Sequence, residues 1–391
     1  MEDFKFETQA IRTQSERTHN REHSTPLYLT SSFVFENAEQ GAAIFSGEEK
    51  GNLYSRFSNP NTQEFVDKLC LLEGCEAGVS TASGMAAVYT SFVAHLQQGD
   101  HILASKDIFG NAQYIITQIL PKMGVEHTLV DVDDAQAWKD SIRDNTKIVY
   151  LETPSNPTLK IADMSYVSDL CKSRGILFFV DNCFATPYLQ RPADFGADLV
   201  IHSATKYIDG QGRVLGGAII GKTAEIGICY DFIRRTGACL SPFNAWVLSK
   251  SIETLAMRMD RHCANALAIA EWLSTDSRVY DVSYPFLQSH PQYELAKKQM
   301  RLGGGLVGFK INGGLEEGKK FLNSLKIHSL TANLGDARSI ATHPSSTTHS
   351  KLTLEEQSKM DITPSYIRLS VGLENIDDLT RDIDQALSII S

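Results

Sequence analysis

Asp198-Leu199-Val200-Ile201-His202-Ser203-Ala204-Thr205-Lys206-Tyr207 is an apolar run of strand character that delivers two hydroxyl residues and then a lysine. In open α/β sheets ligands sit at strand ends, and a lysine amine held there can form a Schiff base with a carbonyl group. Taken alone, Lys206 also has the plainer reading of a surface lysine. Asp181 closes a second apolar run, Ile176-Leu177-Phe178-Phe179-Val180, so a carboxylate is expected near the edge where the lysine lies.

Working outward, His101-Ile102-Leu103 and Lys147-Ile148-Val149-Tyr150-Leu151 are further strand candidates. Met164, Val167, Leu170 and Cys171 recur at helical spacing between two of the runs. Strand and helix in turn predict a mainly parallel α/β sheet covered by helices, spanning residues 57–248. Residues 1–56 are polar and without a sustained period, which predicts an extended arm. From 249 to 391 the pattern changes to a smaller α/β unit. It holds a long helical stretch from Ala245 to Leu273, strands over 306–311 and 366–371, and a closing amphipathic helix marked by Ile376, Leu379, Ile383 and Leu387.

The 391 residues are too many for one ordinary core, which agrees with two domains and an arm. Net charge is -10 with both signs scattered, so no basic tract is available for nucleic acid. No apolar run reaches the roughly 18 residues of a membrane span, and Met1-Glu2-Asp3-Phe4 lacks the start of a secretory signal. A cytoplasmic protein is expected. Seven cysteines without a Cys-x-x-Cys pair fit free thiols in a reducing compartment. Cys70 and Cys75 read as buried small residues rather than metal ligands, and no metal is expected.

An aspartate at a strand end has two readings, a helix N-cap or the partner of a buried cation such as the ring nitrogen of pyridoxal 5'-phosphate (PLP). Ser80-Thr81-Ala82-Ser83-Gly84-Met85 is a small-residue turn that opens a helix, and such a turn offers backbone amides to an anion. Ser203 and Thr205 can add hydroxyls to the same anion or cap locally. Tyr54-Ser55-Arg56 places a phenol and a guanidinium on one side of an extended chain, suited to a phosphate of this or a neighbouring subunit. Arg368 interrupts an apolar strand and needs a partner, either an internal carboxylate or the α-carboxylate of an amino-acid substrate.

Together, Tyr54-x-Arg56, Ser83-Gly84-Met85, Asp181-Asn182, Ser203-Ala204-Thr205-Lys206-Tyr207 and Arg368-Leu369-Ser370-Val371-Gly372 resemble, in order and spacing, the Cys/Met-metabolism PLP enzymes. This is the cystathionine γ-synthase-like family of fold type I, and the resemblance runs from about residue 8 to the end. It implies that Lys206 is the Schiff-base lysine and proton shuttle, and that Asp181 partners the ring nitrogen. Ser83, Gly84, Met85, Ser203 and Thr205 would form the phosphate cup. Tyr54 and Arg56 would reach the adjacent subunit's phosphate in a dimer of dimers, a homotetramer with shared sites. Asn156 would lie near the ring hydroxyl and the substrate carboxylate, Arg368 would bind that carboxylate, and Asn333 would be a further substrate-binding residue.

Phe109 stands where the family's lyases and cystathionine-forming members usually place a tyrosine stacked on the cofactor. Phenylalanine can stack but cannot titrate. Phe109-Gly110 resembles the branch that uses O-succinylhomoserine and sulfide, as do Thr30-Ser31-Ser32-Phe33, Asp209-Gly210-Gln211-Gly212-Arg213 and Ala332-Asn333-Leu334-Gly335-Asp336. Asn333, where many lyases carry serine, is shared with the acetyl branch and does not choose between them. The implied reaction is γ-replacement, O-succinyl-L-homoserine and sulfide giving L-homocysteine and succinate in methionine biosynthesis. Cystathionine γ-synthase, O-acetylhomoserine sulfhydrylase and methionine γ-lyase are the alternatives. Arg213 and Arg12 are candidates by charge for the succinyl tail, and Tyr114 reads as a core or surface tyrosine. A nicotinamide oxidoreductase lacks its Gly-x-Gly-x-x-Gly after a strand.

Overall fold

In the computed structural model, which describes residues 3–347 and 362–390, the apolar runs become strands of two sheets. The larger holds β1 (Ala77–Thr81), β2 (His101–Ser105), β3 (Glu126–Val130), β4 (Thr146–Glu152), β5 (Leu177–Asp181), β6 (Leu199–Ser203) and β7 (Gly217–Gly221). Their order is β1-β7-β6-β5-β4-β2-β3. Strands β2 to β6 are parallel, whereas β7 runs antiparallel to both β6 and β1. The sheet is therefore mainly parallel, and helices on both faces explain why Val149, Leu151, Phe179, Val200 and Ile201 are all buried. Each such side chain contributes about 1.5–3 kcal/mol on burial.

The second sheet has β8 (Val279–Ser283), β9 (Leu306–Ile311), β10 (Ser329–Leu330), β11 (Ile340–Thr342) and β12 (Tyr366–Ser370) in the order β10-β11-β12-β9-β8. Helices Leu255–Ser274 and Ile376–Ile390 cover it, burying Ile269, Leu273, Leu379, Ile383 and Leu387. No described helix is long and apolar enough to cross a membrane.

Three expectations require correction. The arm contains two helices, Phe6–Arg12 and Ala38–Ser46; Asn37 caps the second through the amide of Gln40 at 2.8 Å, and Gly47 ends it at φ 83°. The helical stretch from Ala245 to Leu273 is two helices, Pro242–Ile252 and Leu255–Ser274. Its break is local: Ser251 O accepts from Arg258 Nη2 at 2.9 Å and from the Thr254 amide, so it is lost to the helical ladder. Tyr54-Ser55-Arg56 is a turn rather than an extended segment, because Tyr54 O accepts from Phe57 N at 2.7 Å and Ser58 N at 3.1 Å.

Candidate active site

The parallel strands deliver their last residues to one edge. Asp181 ends β5 in register with Glu152 at the end of β4 and Ile201 on β6. Ser203 ends β6, and Lys206 follows in a turn. That turn is clamped by Arg258, which donates to Tyr207 O at 2.6 Å and Ile208 O at 3.1 Å. Cys183 joins the two strand ends: its amide donates to Asp181 Oδ1 at 3.0 Å and its thiol to Ser203 O at 3.7 Å.

Lys206 Nζ donates to Asn333 Oδ1 at 2.6 Å. Burial lowers the amine's pKa from its ordinary value, and the nearby Arg368 charge adds to this against an opposing contribution from Cys183. Asp181 is buried, accepts from Tyr150 Oη at 3.3 Å, and forms no ion pair among the described residues. Burial pushes its carboxyl up to about 6, although the Cys183 amide, His202 and Tyr150 all act the other way. Such a carboxyl suits a cation that the chain itself does not supply.

Ser83 caps the helix Gly84–Val93 by accepting from Ala86 N at 3.1 Å, which leaves the amides of Gly84 and Met85 as donors. Gly84 lies against β6 so closely that a Cβ there would sit 2.5 Å from Ser203 Cβ and 2.8 Å from its Cα. The Ser203 hydroxyl faces this helix start, while the Thr205 hydroxyl is engaged with Gly216 O at 3.3 Å and Gly216 N at 3.2 Å. A helix start stripped of bulk, a lysine with a lowered pKa and a buried carboxyl without a cation fit the phosphate, aldehyde and ring nitrogen of pyridoxal phosphate.

Arg368 is buried in β12. Nη1 donates to Asn156 Oδ1 at 2.6 Å and Nη2 to Thr342 Oγ1 at 3.0 Å, whereas Nε is buried without an acceptor. No internal carboxylate pairs with it among the described residues, so the salt-bridge alternative finds no support here. Phe109 is 41 % exposed beside the sheet edge, and its amide donates to Glu152 Oε2 at 2.6 Å. Tyr54 is exposed and lies outside this cluster; Arg56 stacks over Phe57 and Tyr54 and donates to Arg234 O. Arg213 is held by Asp209 and Ser251, and Arg12 ends the first helix. Tyr114 is 56 % exposed. No metal-binding group of His, Cys, Asp or Glu occurs among the described residues, where Cys70 is buried and Cys75 partly so.

Sequence reasoning missed Glu152, Tyr150, Cys183 and Thr342. Glu152 carried the same signal as Asp181, an acid closing an apolar run, and could have been found by it.

The model of the Cys/Met metabolism PLP-dependent enzymes matches residues 7–388. The chain is 41% identical over 390 residues to a Pseudomonas aeruginosa O-succinylhomoserine sulfhydrylase, covering 100% of this chain and 97% of the relative. It is 44% identical over 374 residues to an L-methionine gamma-lyase of Porphyromonas gingivalis, covering 93% and 92%. A crystal structure of a Campylobacter jejuni protein described as an O-acetylhomoserine (thiol)-lyase, carrying N'-pyridoxyl-lysine-5'-monophosphate, superposes with TM-score 0.95 at 35% identity, over 98% of this chain and 100% of that one.

Proposed function

This chain belongs to the Cys/Met metabolism PLP-dependent enzymes, and from that premise we propose that it makes L-homocysteine and succinate from O-succinyl-L-homoserine and sulfide. The observation that carries the reading is Phe109 at the sheet edge, a ring without a titratable group, in a chain similar over its whole length to a relative named for that reaction. Hydrosulfide is a small nucleophile, substantially ionised near neutral pH, and needs little help from a protein base. The γ-lyase relative supports a second reading, elimination from methionine with no added nucleophile.

Pyridoxal phosphate, when bound, supplies an electron sink for negative charge at the substrate Cα. Asp181 would hold the ring nitrogen's proton, and Gly84, Met85, Ser83, Ser203 and Thr205 the phosphate. Lys206, with its lowered amine pKa, would take the Cα proton and then move protons at Cβ. Arg368 and Asn156 would hold the α-carboxylate, using the unpartnered Nε, with Asn333 fixing the lysine between steps. The C–O bond at Cγ breaks with its electron pair leaving on succinate, and the hydrosulfide sulfur forms the new bond at Cγ.

Residues 57–248, which contain the whole seven-stranded sheet, would form the cofactor domain, and 249–391, with the five-stranded sheet, the smaller one. The 1–56 arm, with exposed Tyr54 near its end, would complete a neighbouring subunit's site in a homotetramer acting in the cytoplasm.

The deciding experiment feeds O-succinyl-, O-acetyl- and O-phosphohomoserine and methionine to the enzyme with sulfide, cysteine or neither, and identifies products. Homocysteine from the succinyl ester and sulfide is expected; indifference to sulfide, with 2-oxobutanoate formed instead, would reject the replacement reading. A second expectation concerns the cup. Gly84→Ala forces the helix start away from Ser203, so cofactor affinity in a fluorescence titration should fall about tenfold or more, ~1.4 kcal/mol. Unchanged affinity would remove Gly84 from the phosphate site.

A further inference from the structure

We propose that Glu152 is a positioning residue that works as a neutral acid, fixing the main chain of Phe109 beside the ring site and leaving the negative charge at the strand ends to Asp181. The inference uses the family's cofactor but does not depend on which nucleophile the enzyme takes.

Glu152 and Asp181 are register partners at the ends of adjacent parallel strands. In-register neighbours lie about 4.8 Å apart and project to the same face. Both are buried, at 3% and 8% exposure. Two carboxylates so placed cannot both ionise cheaply, and the one with fewer donors keeps the proton. Asp181 receives the Cys183 amide and the Tyr150 hydroxyl and feels His202. Glu152 receives one amide, that of Phe109, and no cation pairs with it among the described residues; Arg368 on β12 acts on it only at longer range. Burial, and then the charge of Asp181, push the Glu152 carboxyl well above the usual range.

The same hydrogen bond, which by itself favours the charged form against burial and the Asp181 charge, gives Glu152 its positioning role. Phe109 is the N-cap of a helix of five residues, Gly110–Tyr114, and its side chain gives that helix no capping hydrogen bond. Its 2.6 Å bond to Glu152 ties this exposed aromatic residue to the rigid edge of the sheet. A glutamine keeps the acceptor and the neutral charge, whereas alanine leaves the amide without a partner, a loss that costs about 1–3 kcal/mol when the group is buried.

The test uses the full-length protein stripped of cofactor and titrated with pyridoxal phosphate, following absorbance and fluorescence. Glu152→Gln should bind within about threefold of the parent and keep the pH midpoint of the cofactor's visible band, while Glu152→Ala should bind about tenfold or more weakly. Glutamine damaging binding as much as alanine would overturn the neutral-acid role, and alanine with unchanged binding would overturn the positioning role. An infrared difference spectrum at neutral pH covers the case in which alanine does not fold. A protonated-carboxylic-acid band present in the parent and lost in Glu152→Gln is expected, and its absence from the parent would reject the inference.

Discussion

Lys206→Ala is expected to lower sulfide-dependent homocysteine formation by about 10³-fold or more, since it removes the group proposed both to anchor the cofactor and to act as the base at Cα. The protein should still fold: Lys206 is only partly buried, and its one side-chain hydrogen bond among the described residues, to Asn333, is not a core contact. Borohydride reduction should fix the cofactor on the peptide containing Lys206 in the parent and on no peptide in the variant. A variant that keeps near-parental turnover would refute the assignment of the lysine. The amine's pKa, lowered first by burial and then by Arg368, should also place the rising limb of the rate profile below the range of a free lysine.

Asp181→Asn should lower turnover by about 10²–10³-fold, the size of losing one preorganised electrostatic partner. In the cofactor-free protein the same change should stabilise. The Asp181 carboxyl titrates near 6 in the fold and near 3.9 in an unfolded chain. The folded state therefore holds the proton more tightly, and the associated stability is present below about pH 4 and lost as pH rises through 6. Asparagine has no such loss. Cofactor-free Asp181→Asn should melt higher than the cofactor-free parent at pH 8, with the gap closing as the pH falls towards 4. A calorimetric gap that does not shrink on acidification would count against a buried, unpaired carboxyl at this position.

The strands that carry the candidate site were legible because they coincide with strong local signals. β4, β5 and β6 are continuous apolar runs, and their buried strands put Asp181 and Lys206 at one edge as expected. β1, with Ala-Gly-Val-Ser-Thr, and β7, with Gly-Ala-Ile-Ile-Gly, are rich in small residues, so neither gave a strand signal. Nothing local reveals that they pair with each other. The break between Ile252 and Leu255 was hidden for a related reason, since it depends on Arg258 reaching back rather than on a proline or glycine. The geometry of Tyr54 and Arg56 was not legible, because the turn that holds them is made by main-chain bonds.

The place of β7 has a consequence for the order of assembly. β1 joins the sheet only by pairing with β7, and β7 only by pairing with β6, so residues 77–81 cannot dock before residues 217–221 exist. The junction where Gly84 meets Ser203 is closed by these distant pairings, and contacts of such long sequence separation form late. During synthesis the N-terminal strand must wait, its small residues and half-buried faces offering little for misdirected association. The proposed anion site at the start of the helix Gly84–Val93 would thus come into being with the last stitches of the sheet, and a cofactor bound there would select chains whose large sheet is complete.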